Sequence, residues 1–90
     1  MADYKVRIKR SAAKEIEAIG QRPDRQRVVK RIAALAADPR PLGCEKLAGR
    51  SDLYRVRVGK YRVLYSIDDA VRIILVVKVG HRRDVYKGAT

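Results

Sequence analysis

The sequence predicts a single α+β domain in which a hairpin of two helices packs on one face of a small, mainly antiparallel, four-stranded sheet, in the order β-α-α-β-β-β. Three observations indicate this arrangement. Apolar and polar residues alternate near the start, recur at helical spacing through two segments, and alternate again through the second half. The length of 90 residues suits one hydrophobic core, so residues 1–90 are assigned to one domain.

The first half of the chain contains one predicted strand and two predicted helices. Residues 4–8 alternate between apolar and cationic side chains, which is the period of a strand with one buried face. Ser11 is a candidate N-cap for a helix over residues 11–19, and a second helix is predicted over residues 24–37. Each helix has an apolar stripe for the core, while polar residues such as Arg31 are expected to face solvent.

The second half contains three predicted strands. Residues 54–58 and 61–67 alternate in hydrophobicity, and Gly59-Lys60 between them is a hairpin signal. Residues 71–79 are a nearly continuous β-branched run, which is typical of a central strand covered on both faces. Residues 42–52 are interpreted as a turn-rich connection between the helices and these strands.

The charge of the chain predicts an anionic partner. Lysine and arginine number 22 against 10 acidic residues, so the net charge is +12. A field of this size attracts phosphate backbones or acidic proteins in a salt-sensitive way.

Cysteine usage and hydropathy indicate the compartment. Cys44 is the single cysteine, which excludes an intrachain disulfide and a cysteine-based metal cluster. No signal-like apolar segment opens the sequence, and the apolar run at 73–77 is too short to span a bilayer. We therefore expect a cytoplasmic protein with no membrane contact.

Three arginines are predicted to share one open face of the sheet. Arg55 and Arg57 lie two apart on one strand, and Arg62 is placed on the outward side of the next strand. Guanidinium groups stay charged and bind two phosphate oxygens at once, so the arrangement suits a phosphate-binding face. The alternative is that these residues merely face water.

The C-terminal segment holds the other candidate residues. His81 is the only histidine, and imidazole is the side chain that exchanges protons most readily near pH 7, although a lone histidine is more often structural. Tyr86 is either a core anchor or an aromatic ring that stacks on an RNA base.

Three segments carry a resemblance to a known family. Residues 46–57, the hairpin at 59–65 and the ending at 79–86 resemble the RelE branch of the RelE/ParE toxin superfamily, and the resemblance covers nearly the whole chain. It implies a RelE-like fold and a type II toxin that inhibits translation. The implied activity is an endoribonuclease, without metal or other cofactor, that cuts messenger RNA in the ribosomal A site.

The resemblance also implies roles for individual residues. Arg62 and Arg82 match family arginines that neutralise phosphate charge, and Tyr86 matches the C-terminal tyrosine. Proton transfer is assigned to His81, with Tyr86 as the rival. Arg55 and Arg57 stand where the best-known branch has lysines, one of which is thought to act as a base. Arginine is a poor base because it does not lose its proton at ordinary pH. The expected RNA-binding residues are Arg55, Arg57, Lys60 and Arg83.

The resemblance implies partners and leaves alternatives open. The expected partners are an acidic RelB-like antitoxin that wraps around the toxin, the ribosome with its messenger RNA, and operator DNA bound by the antitoxin complex. One alternative is a ParE-like poison of DNA gyrase, which shares the fold without being a nuclease. The other is a non-catalytic RNA-binding module, which needs the cationic face but not His81, Arg82 and Tyr86.

Overall fold

Two helices pack against one face of a five-stranded mixed sheet in the computed structural model of the chain. The structure describes residues 3–47, 49 and 52–81. Its elements are β1 (Lys5–Ile8), α1 (Arg10–Glu17), α2 (Arg22–Ala34), β2 (Glu45–Lys46), β3 (Leu53–Val58), β4 (Tyr61–Asp68) and β5 (Ile73–His81). The predicted α+β class and the helical hairpin on one sheet face are confirmed.

The sheet has one more strand than the four predicted. Its strands lie in the order β1-β5-β4-β3-β2, with β1 parallel to β5 and the other pairs antiparallel. The additional strand, β2, lies inside the predicted connection over 42–52. It has two residues, both exposed and polar, so it carries no alternation from which a strand is recognised.

The helix boundaries differ from those predicted. The helix α1 begins at Arg10, its N-cap is Lys9, and no side chain caps it. The predicted cap at Ser11 is therefore wrong, since Ser11 is already inside the helix. The helix α2 ends at Ala34, and a tighter turn follows, in which the Leu35 N–H donates to the Ile32 carbonyl.

The core lies between the helices and the inner face of the sheet. Tyr65 at the centre of β4 is fully buried, and its hydroxyl donates to the Pro39 carbonyl at 2.8 Å. Burial raises the pKa of this hydroxyl, which therefore stays a donor. The other core side chains are Ala12, Ile16, Ile19, Val28, Ile32, Leu35, Val56, Val63, Ile67, Ile74, Val76 and Val79.

A β-bulge interrupts β5. Leu64 pairs with Lys78 and the next residue, Tyr65, pairs with Val76, so Val77 is an extra residue on β5. The bulge lets Val76 and Val79, three apart, both join the core. Val77 is only partly buried, so the predicted strand covered on both faces is corrected to a bulged strand with one fully buried face.

The helix α1 covers the edge of β5 beyond the end of β1. The last residue of β1 pairs with Val76, so within the described part of the chain the later N–H groups of β5 have no strand partner on that side. The Glu15 carboxylate accepts the Val79 N–H at 3.0 Å and the Lys78 ammonium at 3.3 Å. Glu15 thereby satisfies a backbone donor that the short β1 leaves exposed.

We predict that Glu15→Ala destabilises the fold by about 1–2 kcal/mol, because it removes a charged acceptor from a partly buried backbone N–H. Glu17→Ala, at an exposed position on the same helix, is the matched control and should change the free energy of unfolding by less than about 0.5 kcal/mol. Urea unfolding of both variants measures the difference. Equal effects would show that the Glu15 contact contributes nothing.

Candidate functional site

The pairing of β3 with β4 places three arginines on the face of the sheet away from the helices. Arg57 lies directly opposite Arg62, and the neighbouring pair, Val56 and Val63, is buried in the core. Because side chains alternate along a strand, Arg57 and Arg62 point away from the core, and Arg55 shares their side. The arrangement predicted from the alternation is the one the structure shows.

An open cavity lies where β3 extends beyond β2. The two residues of β2 pair only with Tyr54 and Arg55, so among the described residues no strand pairs with the following part of the β3 edge. The cavity has a volume of about 330 Å³. Its lining comprises Arg31, Leu42, Gly43, Glu45, Arg55, Val56, Arg57 and Arg62. The structure therefore brings the three predicted arginines to one concave site.

A carboxylate also lines this cavity. Glu45 on β2 accepts a hydrogen bond from Arg55 Nη2, with a distance of 2.6 Å between nitrogen and oxygen. The Arg55 guanidinium lowers the pKa of Glu45, first through this hydrogen bond and second through its charge. Glu45 is therefore ionised at neutral pH, and a base lies beside the arginines.

The connection that forms one wall of the cavity is tied to the far end of the sheet. Arg40 donates two hydrogen bonds to the Asp69 carboxylate, at 2.9 and 3.3 Å, and Asp69 also accepts the Tyr4 hydroxyl at 2.6 Å. These contacts lower the pKa of Asp69, mainly through Arg40. A turn follows at once, in which the Cys44 N–H donates to the Pro41 carbonyl. The segment that leads into β2 is thus fixed by the contacts of Arg40 at its start and by this turn at its end.

His81 lies on the other side of the sheet from the arginines. It pairs with Tyr61, whose ring packs against the core, and the two rings meet edge to face with centroids 5.9 Å apart. His81 and Glu15 line a second cavity of about 330 Å³, next to the end of α1. The structure does not bring His81 into the arginine cavity.

Of the remaining predicted site residues, only Lys60 lies in the part of the chain that the structure describes. Lys60 lies in the exposed turn between β3 and β4, beside Gly59, whose φ of 59° suits a hairpin turn. Gly80 pairs with Arg62 and has no side chain, so β5 places no side chain beside Arg62 at this position. The predictions for Arg82, Arg83 and Tyr86 fall outside the described residues.

Two structural features are absent from the described part of the chain. Within residues 3–47, 49 and 52–81, no three side chains of histidine, cysteine, aspartate or glutamate come together in a way that could hold a metal ion. In the same part of the chain, no helix has the length and apolar character needed to cross a membrane.

Comparison with known proteins decides the family. Residues 6–86 match the family model described as the ParE toxin of the type II toxin–antitoxin system parDE. The chain belongs to the RelE/ParE family of type II toxins. The toxin is 37% identical over 59 residues to the Methanocaldococcus jannaschii protein named toxin RelE1, an alignment covering 62% of this chain and 66% of that relative.

The alignments with two further relatives cover almost the whole length of those relatives. The toxin is 27% identical over 84 residues to the toxin RelG of Mycobacterium tuberculosis, which covers 93% of this chain and 97% of RelG. A chain of the archaeal RelE–RelB complex from Pyrococcus horikoshii matches with a TM-score of 0.78 and 29% identity, over 89% of the toxin and 96% of that chain. The RelE-type interpretation of the sequence is confirmed.

Sequence reasoning missed two residues of the cavity. Arg31 was expected to face solvent but is half-buried and lines the cavity from α2. Glu45 fell in the supposed connection, so its pairing with Arg55 was not predicted. The signal that was available for Glu45 is weak, namely an acidic residue opposite an arginine in a short strand pair.

We predict that the Glu45 carboxyl titrates below the ordinary range of glutamate and moves upward in the variant Arg55→Gln, because the variant removes the hydrogen bond that stabilises the carboxylate. A group with a lowered pKa contributes to stability above its unfolded-state pKa and loses that contribution as the pH falls through the folded-state value. NMR titration of the side-chain carboxyl carbon measures the pKa of Glu45 in the wild type and in the variant. An unchanged titration in Arg55→Gln would contradict the pairing.

Proposed function

We propose that the toxin is a ribosome-dependent endoribonuclease that cleaves messenger RNA and so inhibits translation in the cytoplasm. The observation that carries this proposal is the concave cluster of Arg55, Arg57 and Arg62 on the open sheet face. Guanidinium groups aimed at one cavity suit a phosphate whose negative charge grows in the transition state. The RelE relatives support the same activity.

The proposed reaction is attack of a ribose 2′-hydroxyl on the adjacent phosphate. The 2′-oxygen forms a bond to phosphorus while the bond to the 5′-oxygen breaks, giving a cyclic phosphate and a free 5′-hydroxyl. One proton leaves the 2′-hydroxyl and one joins the departing oxygen, so no co-reactant is consumed. Arg62 and Arg82 stabilise the phosphate charge, and the RNA is oriented by Arg55, Arg57, Lys60, Arg83 and Tyr86.

Three residues compete for the proton transfers. His81 and Tyr86 are the candidates from the sequence, and the structure adds Glu45. Glu45 is ionised and lines the same cavity as Arg62, so we include it as an acceptor of the 2′-hydroxyl proton, although its lowered pKa makes it a weaker base than an ordinary glutamate. His81 needs a path to the scissile phosphate around the end of β5, because its ring contacts Tyr61 on the helix side.

We predict that Arg62→Ala lowers the rate of ribosome-dependent cleavage about a hundred- to a thousandfold, which is the usual cost of losing one transition-state donor. Arg7→Ala, an exposed change on β1 at the other edge of the sheet, removes the same charge and should retain nearly full activity. Primer extension on programmed ribosomes measures the cleavage. Similar rates for the two variants would remove Arg62 from the site.

The proton-transfer candidates are separated by pH profiles of the cleavage rate. A histidine base gives a rate that rises through neutral pH, and His81→Gln should then abolish that rise. A glutamate base with a lowered pKa gives no titration near neutral pH, and Glu45→Gln should then lower kcat throughout that range. If Tyr86 transfers the proton, Tyr86→Phe should be the most damaging change of the three. Full activity of all three variants would contradict the proposed mechanism.

Each of the two alternative functions, a gyrase poison and a non-catalytic RNA-binding module, has a specific test. The matching family model carries the name ParE, which favours a gyrase poison, and inhibition of DNA supercoiling by the purified toxin would support that function. A non-catalytic RNA-binding module would bind RNA and leave it intact. Cleavage that persists after chelation with EDTA, at magnesium levels that preserve the ribosome, supports the metal-free nuclease over both.

We also propose an acidic RelB-like antitoxin that covers the cationic face. The net charge of +12 and the RelE–RelB complex among the structural neighbours support this partner. Electrostatic masking predicts that the affinity falls as salt rises and that the bound toxin does not cleave RNA. Calorimetry between about 50 mM and 200 mM salt measures the first effect. A salt-insensitive affinity, or a complex that still cleaves, would contradict masking. Binding of operator DNA belongs to the antitoxin complex in this proposal.

A further inference from the structure

Arg31 reaches the arginine cavity from the opposite side to the other three arginines. It lies on α2, directly before the core residue Ile32, so it belongs to the helix layer, whereas Arg57 and Arg62 project from the open sheet face. All of them line the same cavity. The cavity therefore continues around the uncovered edge of β3, from the open face to the helix side.

The Arg31 side chain has a donor without an acceptor. Its Nε atom is buried and makes no hydrogen bond within the described part of the chain. A buried donor that stays unsatisfied is costly, so a movement of the Arg31 side chain that brings Nε to an anion in the cavity is favourable. The carboxylate on the cavity lining, Glu45, is bonded to Arg55.

The charges around the cavity favour an anion that is bound by guanidinium groups on two of its walls. Four arginines and one glutamate line about 330 Å³, so cationic groups surround a space at the lower end of the size range for ligand pockets. Like charges held around a cavity repel, and a bound phosphate converts this repulsion into attraction. Guanidinium groups on two walls can contact two successive phosphates of one strand.

We propose that Arg31 forms a second phosphate subsite, which binds the backbone phosphate next to the scissile one as the RNA strand passes over the edge of β3. This inference rests on the proposed ribonuclease function and extends it from the sheet face to α2. Arg31 is a substrate-binding residue in this proposal. It should therefore affect KM and RNA affinity, while the rate of the chemical step stays close to that of the wild type.

The test compares Arg31→Gln with Lys30→Gln, which removes the same charge at the neighbouring exposed position of α2. The probe is a short single-stranded RNA with a 2′-deoxy nucleotide at the cleavage position, and its affinity is measured by fluorescence anisotropy over a range of salt concentrations. Arg31→Gln should weaken binding about tenfold or more and reduce the slope of log K against log salt by about 0.7, the value for one lost phosphate contact on a single strand. Lys30→Gln should change both far less.

A second variant and a kinetic measurement complete the test. Arg31→Lys keeps the charge without the planar fork, so its RNA affinity should lie between wild type and Arg31→Gln even if Arg31→Gln folds poorly. On ribosomes, Arg31→Gln should raise KM for messenger RNA with little change in kcat.

The subsite is overturned if Arg31→Gln and Lys30→Gln weaken RNA binding equally. It is also overturned if Arg31→Gln weakens only antitoxin binding, since the cavity would then belong to an acidic protein segment. If the proposed ribonuclease function is wrong, the wild-type toxin does not cleave RNA at all. The RNA affinities of Arg31→Gln and Lys30→Gln can still be compared in that case, so the two failures are distinguishable.

Discussion

Both faces of the sheet are determined by the pairing register of β3 with β4. It places Val56 against Val63 in the core and Arg57 against Arg62 on the open face. A slip of one residue would turn the guanidinium groups under the helices and the valines into water, and buried unpaired charges are too costly for a domain with a single small core. The same interaction therefore defines both the hydrophobic core and the cationic site.

The cavity depends on what β2 leaves uncovered. Two residues of β2 pair with β3, so no described strand covers the edge next to Val56 and Arg57, and Arg31 reaches this opening from α2. The Arg40–Asp69 pair holds the segment before β2 against the far end of the sheet. A longer β2 would close the edge and hide the backbone next to the arginines. The fold thus keeps a concave site by ending one strand early.

The sequence predicted the parts of the molecule that repeat a simple period. The alternation around Val56 and Val63 and the Gly59-Lys60 turn were enough to place Arg55, Arg57 and Arg62 on one face. The two exposed residues of β2 have no such pattern, so the fifth strand and the pairing of Glu45 with Arg55 could not be predicted.

The position of His81 could not be predicted because of the bulge at Val77. Counting in twos from the core residue Ile74 places His81 on the same side as the arginines. The extra residue shifts the count, so that Val79 and His81 face the helices instead. Bulges depend on how neighbouring strands pair, which a local pattern does not report. The exposure of Arg31 was misjudged for a related reason, since the cavity it lines is created by elements distant in sequence.

Binding of RNA to the open sheet face is tested by an NMR titration of the toxin with a cleavage-resistant single-stranded RNA, which follows the arginine Nε–H signals and the backbone amides. We expect the largest shifts at Arg55, Arg57 and Arg62, with small shifts at Ala18 and Ile19, which line the second cavity together with His81. Large shifts at Ala18 and Ile19, with the arginine signals unmoved, would contradict the claim that the open sheet face binds RNA.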